Sequence, residues 1–169
     1  EKTRGISRIT GVNCAVSDSV GTVSMHVTDA ATMNSMLPMC DESRTQSQID
    51  VPSMTLDRFC ETNRIESVQV LKMDIQGCEK FAVAGAKRIL STHVVDLVYS
   101  EVLFSDLYKD QTHFYELYAT LAGHGYSLVG LYELRVGEML EVHHGNAIFI
   151  SPKIRTRMAA REKAMQPAA

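Results

Sequence analysis

A chain of 169 residues that is 45% hydrophobic and 22% charged suits one α/β domain with room for a core, and it excludes wholesale disorder. Its net charge of -3 speaks against a nucleic-acid partner, because backbone binding rests on clustered Lys and Arg. Charge is uneven: from Pro152 onward five basic residues face the single Glu162, a net of +4 that leaves -7 on the chain before it.

In chain order, Ile9 to Val16 and Thr22 to Val27 carry strand-like patterns, separated by Ser17-Asp18-Ser19-Val20-Gly21, residues of the kind that turn a hairpin. The expectation is a strand followed by a β-ribbon. Residues 30–48 are polar, Met-rich and unperiodic, which predicts a long surface loop with one helical turn at most. Its methionines, with Met25, either mark a contact surface or fill an irregular core. After a short extended piece at Ile49 to Pro52, Thr55 can cap a helix through Leu56, Phe59 and Cys60, with Asp57 favouring the dipole in its first turn and Asn63 closing it.

Val68 to Asp74 reads as a parallel strand buried on both faces. Lys72 is its anomaly: side chains alternate along a strand, so Lys72 and Asp74 share a face, and a lone buried charge there would cost several kcal/mol. The two pair with each other or with a neighbouring strand. Gln76-Gly77 makes a turn into a helix that begins near Glu79 and lays down Phe81, Val83, Ala84, Ile89 and Leu90 as a core stripe, with Gly85 permitting close approach to the sheet. Val94 to Glu101 is the next strand. His113 to Ala122 forms a helix with Phe114, Leu117, Tyr118 and Leu121 on one face, ended by Gly123-His124-Gly125. Tyr126 to Glu133 and Gly145 to Ile150 form an antiparallel pair. The alternation points to an α/β fold with a mostly parallel sheet and an antiparallel edge strand.

Chemistry concentrates at two strand ends. In open α/β sheets ligands gather beyond the carboxyl ends of the strands, which makes Asp74 a candidate for contact with cofactor or substrate and Glu101 a second. The bland alternatives are a structural ion pair for Asp74 and a solvated loop acid for Glu101. Glu141, His143 and His144 are metal-ligand types, but adjacent histidines on a strand point opposite ways, so they read as a polar hairpin and no metal is expected. The four cysteines show no zinc-like or C-x-x-C spacing, and nothing at the start reads as a secretory signal, so a reduced, cytoplasmic setting is the default. Cys14 and Cys78 read as buried hydrophobes. No apolar run approaches the ~20 residues of a membrane span, so no membrane partner is expected.

Thr55-Leu56-Asp57-Arg58-Phe59, then Leu71-Lys72-Met73-Asp74-Ile75-Gln76-Gly77-Cys78-Glu79, Ala84-Gly85-Ala86 and Gly125-Tyr126-Ser127-Leu128 occur in an order and at separations that resemble the C-terminal half of the FkbM-type S-adenosylmethionine-dependent methyltransferases. Asn13-Cys14-Ala15-Val16-Ser17-Asp18 resembles the end of that family's third strand. The resemblance covers roughly residues 8–151, a partial methyltransferase domain, with residues 152–169 as a basic tail. It implies a Rossmann-like class I methyltransferase fold, strand order 3-2-1-4-5-7-6, lacking the first two strands and the glycine-rich cofactor loop. A missing N-terminal segment of the same protein is then an expected partner. The implied activity is transfer of a methyl group from S-adenosylmethionine to a hydroxyl of a sugar or other small metabolite. Ala15, Val16 and Ser17 would flank the adenine, and Asp74 would lie near the methyl donor. Asp74 is the first choice for base or substrate orienter and Glu101, facing substrate, the second. The family has a glutamate where this chain has Gln76. The alternative is a non-catalytic Rossmann-like fragment or interaction module.

Overall fold

Strands from the two halves of the chain pair into two separate sheets. The computed structural model describes residues 9–138 and 140–165. In the first sheet β1 (Ala15–Val16) lies parallel to β3 (Thr45–Met54), which runs antiparallel to β2 (Gly21–Thr28), in the order β1-β3-β2. The first two strands therefore do not pair. The ribbon is β2 with β3, and β3 begins well inside the segment read as loop. Residues 45–48 are polar and mostly exposed, so only backbone pairing makes them a strand, and hydropathy gives no sign of it, whereas the extended piece expected at Ile49 to Pro52 lies within β3. Two short 3-10 turns, Ala31–Met33 and Glu42–Arg44, occupy the connection, and the Arg44–Asp29 ion pair (3.0 Å) closes its neck.

The helix α1 (Leu56–Thr62) starts where expected, with the Thr55 hydroxyl accepting from the Arg58 amide at 3.0 Å. The strand β4 (Val68–Met73) follows, then two short helices, α2 (Glu79–Ala84) and α3 (Lys87–Ser91), in place of one. Gly85 marks the break. A Cβ at this residue would come 2.2 Å from the Ser17 carbonyl oxygen, and its own carbonyl accepts from the Asp57 amide at 2.9 Å. The close approach foreseen for Gly85 is thus to the backbone at the end of β1.

β5 (Val95–Leu103), α4 (Phe114–Gly123), β6 (Ser127–Val136), β7 (Val142–Ile150) and α5 (Pro152–Met165) complete the chain. The second sheet runs β4-β5-β7-β6: β4 and β5 are parallel, and β7 is antiparallel to both its neighbours. The reversed strand is therefore inside the sheet and not at its edge, because β6 passes its neighbour's place and β7 folds back between it and β5. At the far side β4 is an edge strand whose Val70 is 55% exposed, so the expected burial on both faces does not occur. Among the described residues, neither β1 nor β4 has a strand on its outer side.

The main core lies under the second sheet, where Val95, Val98, Phe149 and Ala147 meet Leu117 and Leu121 of α4 and Ile89 and Leu90 of α3. The Tyr126 hydroxyl, buried here, donates to the Val95 carbonyl at 2.7 Å. A smaller cluster of Leu37, Met39, Cys78, Leu103 and Tyr108 anchors the long connection, with Met33 and Met36 packed against it. Those methionines act as filler. The helix α5 is exposed along most of its length, tethered by Lys153 to Asp96 at 2.8 Å and by Arg155 to the Ser127 hydroxyl at 2.8 Å. Among the described residues no helix is long and apolar enough to cross a membrane.

Candidate functional site

Parallel pairing of β4 with β5 sets Met73 opposite Ser100, so the next residues of the two strands, Asp74 and Glu101, emerge side by side. Lys72 reaches forward along the shared face to Asp74, Nζ to Oδ2 2.8 Å, which settles the apparent anomaly as a local, half-exposed ion pair. The chain then turns through Gln76 (φ 55°) and Gly77 (φ 83°). Left-handed backbone is cheap for glycine and uncommon for other residues. At Gly77 the lack of a side chain is also required, because a Cβ would meet Gln111 Cβ at 3.0 Å.

This turn is held from three directions. Ser35, in the long connection, donates its hydroxyl to the Gln76 carbonyl at 2.8 Å. Thr112 donates both amide (2.8 Å) and hydroxyl (2.9 Å) to the Gly77 carbonyl, and its hydroxyl accepts from the Lys80 amide. The Gln76 side chain spans the two carboxylates, Nε2 donating to Asp74 Oδ1 at 2.9 Å and to Glu101 Oε2 at 3.1 Å. Its Oε1 accepts from the Tyr108 hydroxyl at 2.8 Å.

The three acids here differ in character. The Lys72 ammonium, ahead of the Gln76 amide, holds the Asp74 carboxyl below its ordinary range. Burial, reinforced by the charge of Asp74, pushes Glu101 up. Glu79, at the start of α2 and only 2% exposed, is pushed by burial to about 7 even though it accepts from the Ile75 amide. One acid therefore stays ionised while its neighbours hold protons more readily, an arrangement suited to acid-base work.

A cavity of about 340 Å³ opens beside Asp74, walled by Ala15, Val16, Met25, Asn34, Met36 and Gln76 among others. Of the sequence-derived candidates, Ala15, Val16 and Asp74 lie on this one wall. Ser17 does not: it is 3% exposed and belongs to a separate cavity with Asp18 and Ser19. Glu101 lies behind Gln76, lining a crevice with Glu79, Thr112 and His113. Cys78 is buried as expected, whereas Cys14 is half-exposed on the cavity wall. On the distant β6–β7 hairpin His143 pairs with Glu141 at 2.9 Å, and no three metal-ligating side chains cluster among the described residues. Sequence reasoning missed Glu79, Tyr108 and Ser35. Only the position of Glu79 directly after Gly77-Cys78 hinted at a buried first-turn acid, and Tyr108 and Ser35 reach the turn from remote loops.

The family model described as the methyltransferase FkbM domain matches residues 2–128 of the chain. No curated protein and no solved structure gives a significant match.

Proposed function

The chain belongs to the FkbM methyltransferase family, and on that premise we propose that the cavity beside Asp74 takes S-adenosylmethionine and that the methyl acceptor is a hydroxyl of a sugar or other small metabolite. The observation that carries this reading is the coupled pair where β4 ends beside β5: an ionised Asp74 on the cavity wall, bridged by Gln76 to a more basic Glu101. A Rossmann-like methyltransferase architecture goes with it, supported by the β4-β5-β7-β6 order with β7 reversed.

The residues present fit the cofactor's chemistry. The cavity volume lies at the lower end of the ~300–1,000 Å³ of ligand pockets. Ala15, Val16, Met25 and Met36 offer apolar walls for a purine, and Asp74 offers a negative charge to a cation. When bound, S-adenosylmethionine supplies an electrophilic methyl group on a positively charged sulfur. The protein's part is chiefly orientation, which can be worth ~7–11 kcal/mol of a barrier. Glu101 is half-buried behind Gln76 and off the cavity wall, so it would accept the proton, at a carboxylate oxygen, of an acceptor hydroxyl that approaches from the side away from the cofactor cavity, a contribution of roughly 10²–10⁴-fold. Asp74, tied to Lys72 and Gln76, is the weaker base and the better anchor, so the two roles are ordered here the opposite way from the sequence reading. Ser17 would act behind the wall, through its contact with Gly85, and not by touching the purine.

A second reading, a catalytically silent interaction module, is favoured by the outer edges of β1 and β4, which lack a strand neighbour among the described residues. A segment carrying the glycine-rich loop would pair there under the methyltransferase reading. Calorimetric titration with S-adenosylhomocysteine separates the two. Binding to this chain or to a form extended upstream, weakened at least tenfold by Asp74→Asn, is expected. Absence of binding to both forms would sink the methyltransferase reading in favour of the silent module.

A further inference from the structure

Gln76 occupies a position whose backbone, at φ 55°, disfavours side chains, yet its side chain hydrogen-bonds to Asp74, Glu101 and Tyr108. A primary amide has two donor hydrogens, and here each meets a different carboxylate, Asp74 at 2.9 Å and Glu101 at 3.1 Å. The orientation of the amide follows from its partners. Reversed, Oε1 would face two carboxylates and repel both, so Nε2 must point toward the acids and Oε1 toward the Tyr108 hydroxyl, 2.8 Å away. Tyr108 is 1% exposed and its ring is packed in the small core cluster, so this hydroxyl is a fixed reference point. A cation here could also bridge the two acids but would favour the charged form of both, which a neutral amide does far less. A carboxylate at this position would add a third negative group against Asp74 and Glu101, and a hydrocarbon would leave those two acids facing each other without a shared donor.

We propose that Gln76 is a positioning residue of the methyl-transfer site, a neutral two-pronged donor that holds Glu101 as a proton acceptor beside the ionised Asp74, with Tyr108 fixing the sense of its amide. The inference rests on the reading of Glu101 as the base. The groups that face Glu101 are few and placed on separate elements. Asp74 and Lys72 come from β4, Glu79 from α2, His113 from the start of α4 and Tyr108 from the loop after β5. On the opposite side, β7 presents Asn146 in register with Glu101, and that amide is itself occupied by Glu133 of β6 at 2.8 Å. Among the described residues Gln76 is thus the one neutral donor shared by Glu101 and Asp74. Removing it should make Glu101 hold its proton to higher pH, since a hydrogen bond to the charged form is lost and the repulsion from Asp74 is left unscreened.

The test is a carbon-13 NMR titration of the Glu101 carboxyl in the intact chain, its signal assigned by disappearance in Glu101→Gln. Gln76→Met, of similar length and without donors, is expected to raise the Glu101 midpoint by about half a pH unit or more, and Gln76→Glu by about one. Tyr108→Phe, which keeps the buried ring, is expected to raise it by a smaller amount because the amide is no longer oriented. That variant carries the test if either substitution at Gln76 fails to fold. An unmoved midpoint in folded Gln76→Met, or in Tyr108→Phe where the former does not fold, would overturn the proposal. Titration with S-adenosylhomocysteine keeps the two failures apart. Cofactor-product binding with an unmoved Glu101 removes only the role of Gln76, whereas a moved Glu101 without any binding leaves the coupling intact and removes the methyl-transfer reading.

Discussion

At Glu79, burial sets a carboxylate against its own ionisation. It is 2% exposed, accepts from the Ile75 amide, and titrates at about 7 in place of 4.5. Between those values the folded chain holds a proton that the unfolded chain has lost, so the contribution of Glu79 is intact below about 4.5 and is lost as pH rises through about 7. The span corresponds to a few kcal/mol at most, on the order of 3. Glu79→Gln, which retains an acceptor for Ile75, is therefore expected to flatten the fall in stability from pH 5 to pH 8 and to exceed the parent chain in urea midpoint at pH 8. Parallel stability-against-pH curves for the two would show that Glu79 stays ionised in the fold. The legibility of the site at this scale was uneven. Asp74 is readable because an apolar run that ends in an acid marks a strand end, whereas the strand expected to end at Glu101 runs on to Leu103, since Val102 and Leu103 still pair with β7. Gln76 as a bridge, Tyr108 as its reference and Glu79 as a buried acid are not readable, because each depends on which strand lies beside which, and residues 25 or more positions apart decide that.

Among the elements, α3 is started by a residue of another helix. Both carboxylate oxygens of Asp57 in α1 accept from its first-turn amides, Arg88 at 2.8 Å and Ile89 at 2.9 Å, while Thr55 already caps α1. Sequence pattern assigned Asp57 only a dipole role in its own helix, since capping by a distant side chain leaves no local spacing to read. Asp57→Ala is expected to cost about 1–2 kcal/mol, with Asp57→Asn recovering part through its remaining acceptor, as read from urea denaturation. An unchanged midpoint for Asp57→Ala would mean that water caps α3 equally well. The two glycines at helix ends offer a contrast on the same assay. Gly85→Ala would drive a Cβ to 2.2 Å from the rigid Ser17 carbonyl, and should cost several kcal/mol or prevent folding, whereas Gly123, with nothing within 4 Å, should accept Ala with a gain of about 0.5–1 kcal/mol. Equal effects at the two sites would show that β1 yields to the intruding methyl. The helices α1 and α4 and the strands β4 to β7 were all legible from periodicity and caps. Of β3 only the extended piece at Ile49 to Pro52 was, because its polar, exposed first half is defined only by the partner it pairs with.

On the scale of the whole molecule, two sheets each leave an outer edge, β1 and β4, without a strand neighbour among the described residues. Among the described residues no strand pairs with the outer row of backbone donors and acceptors of the six-residue β4, and Val70 in its middle is 55% exposed. Exposed apolar edges of this kind template pairing with other strands, and natural proteins guard them with charge, Lys above all. Lys72 is the one charged residue within β4, and Asp74 already engages it at 2.8 Å. The pattern of residues 68–74 foretold a strand but not its position, because a run that is apolar on both faces reads the same at the centre of a sheet and at an exposed edge. The expected consequence is association that grows with protein concentration. Sedimentation velocity over a concentration series should show species larger than the monomer, and Val70→Lys should shift the distribution toward monomer with unchanged far-ultraviolet circular dichroism. A distribution insensitive to Val70→Lys would place the contact elsewhere. The competing surface is the edge strand β6, whose Tyr132, Leu134 and Val136 are also exposed, and Leu134→Lys would then be the substitution that restores the monomer.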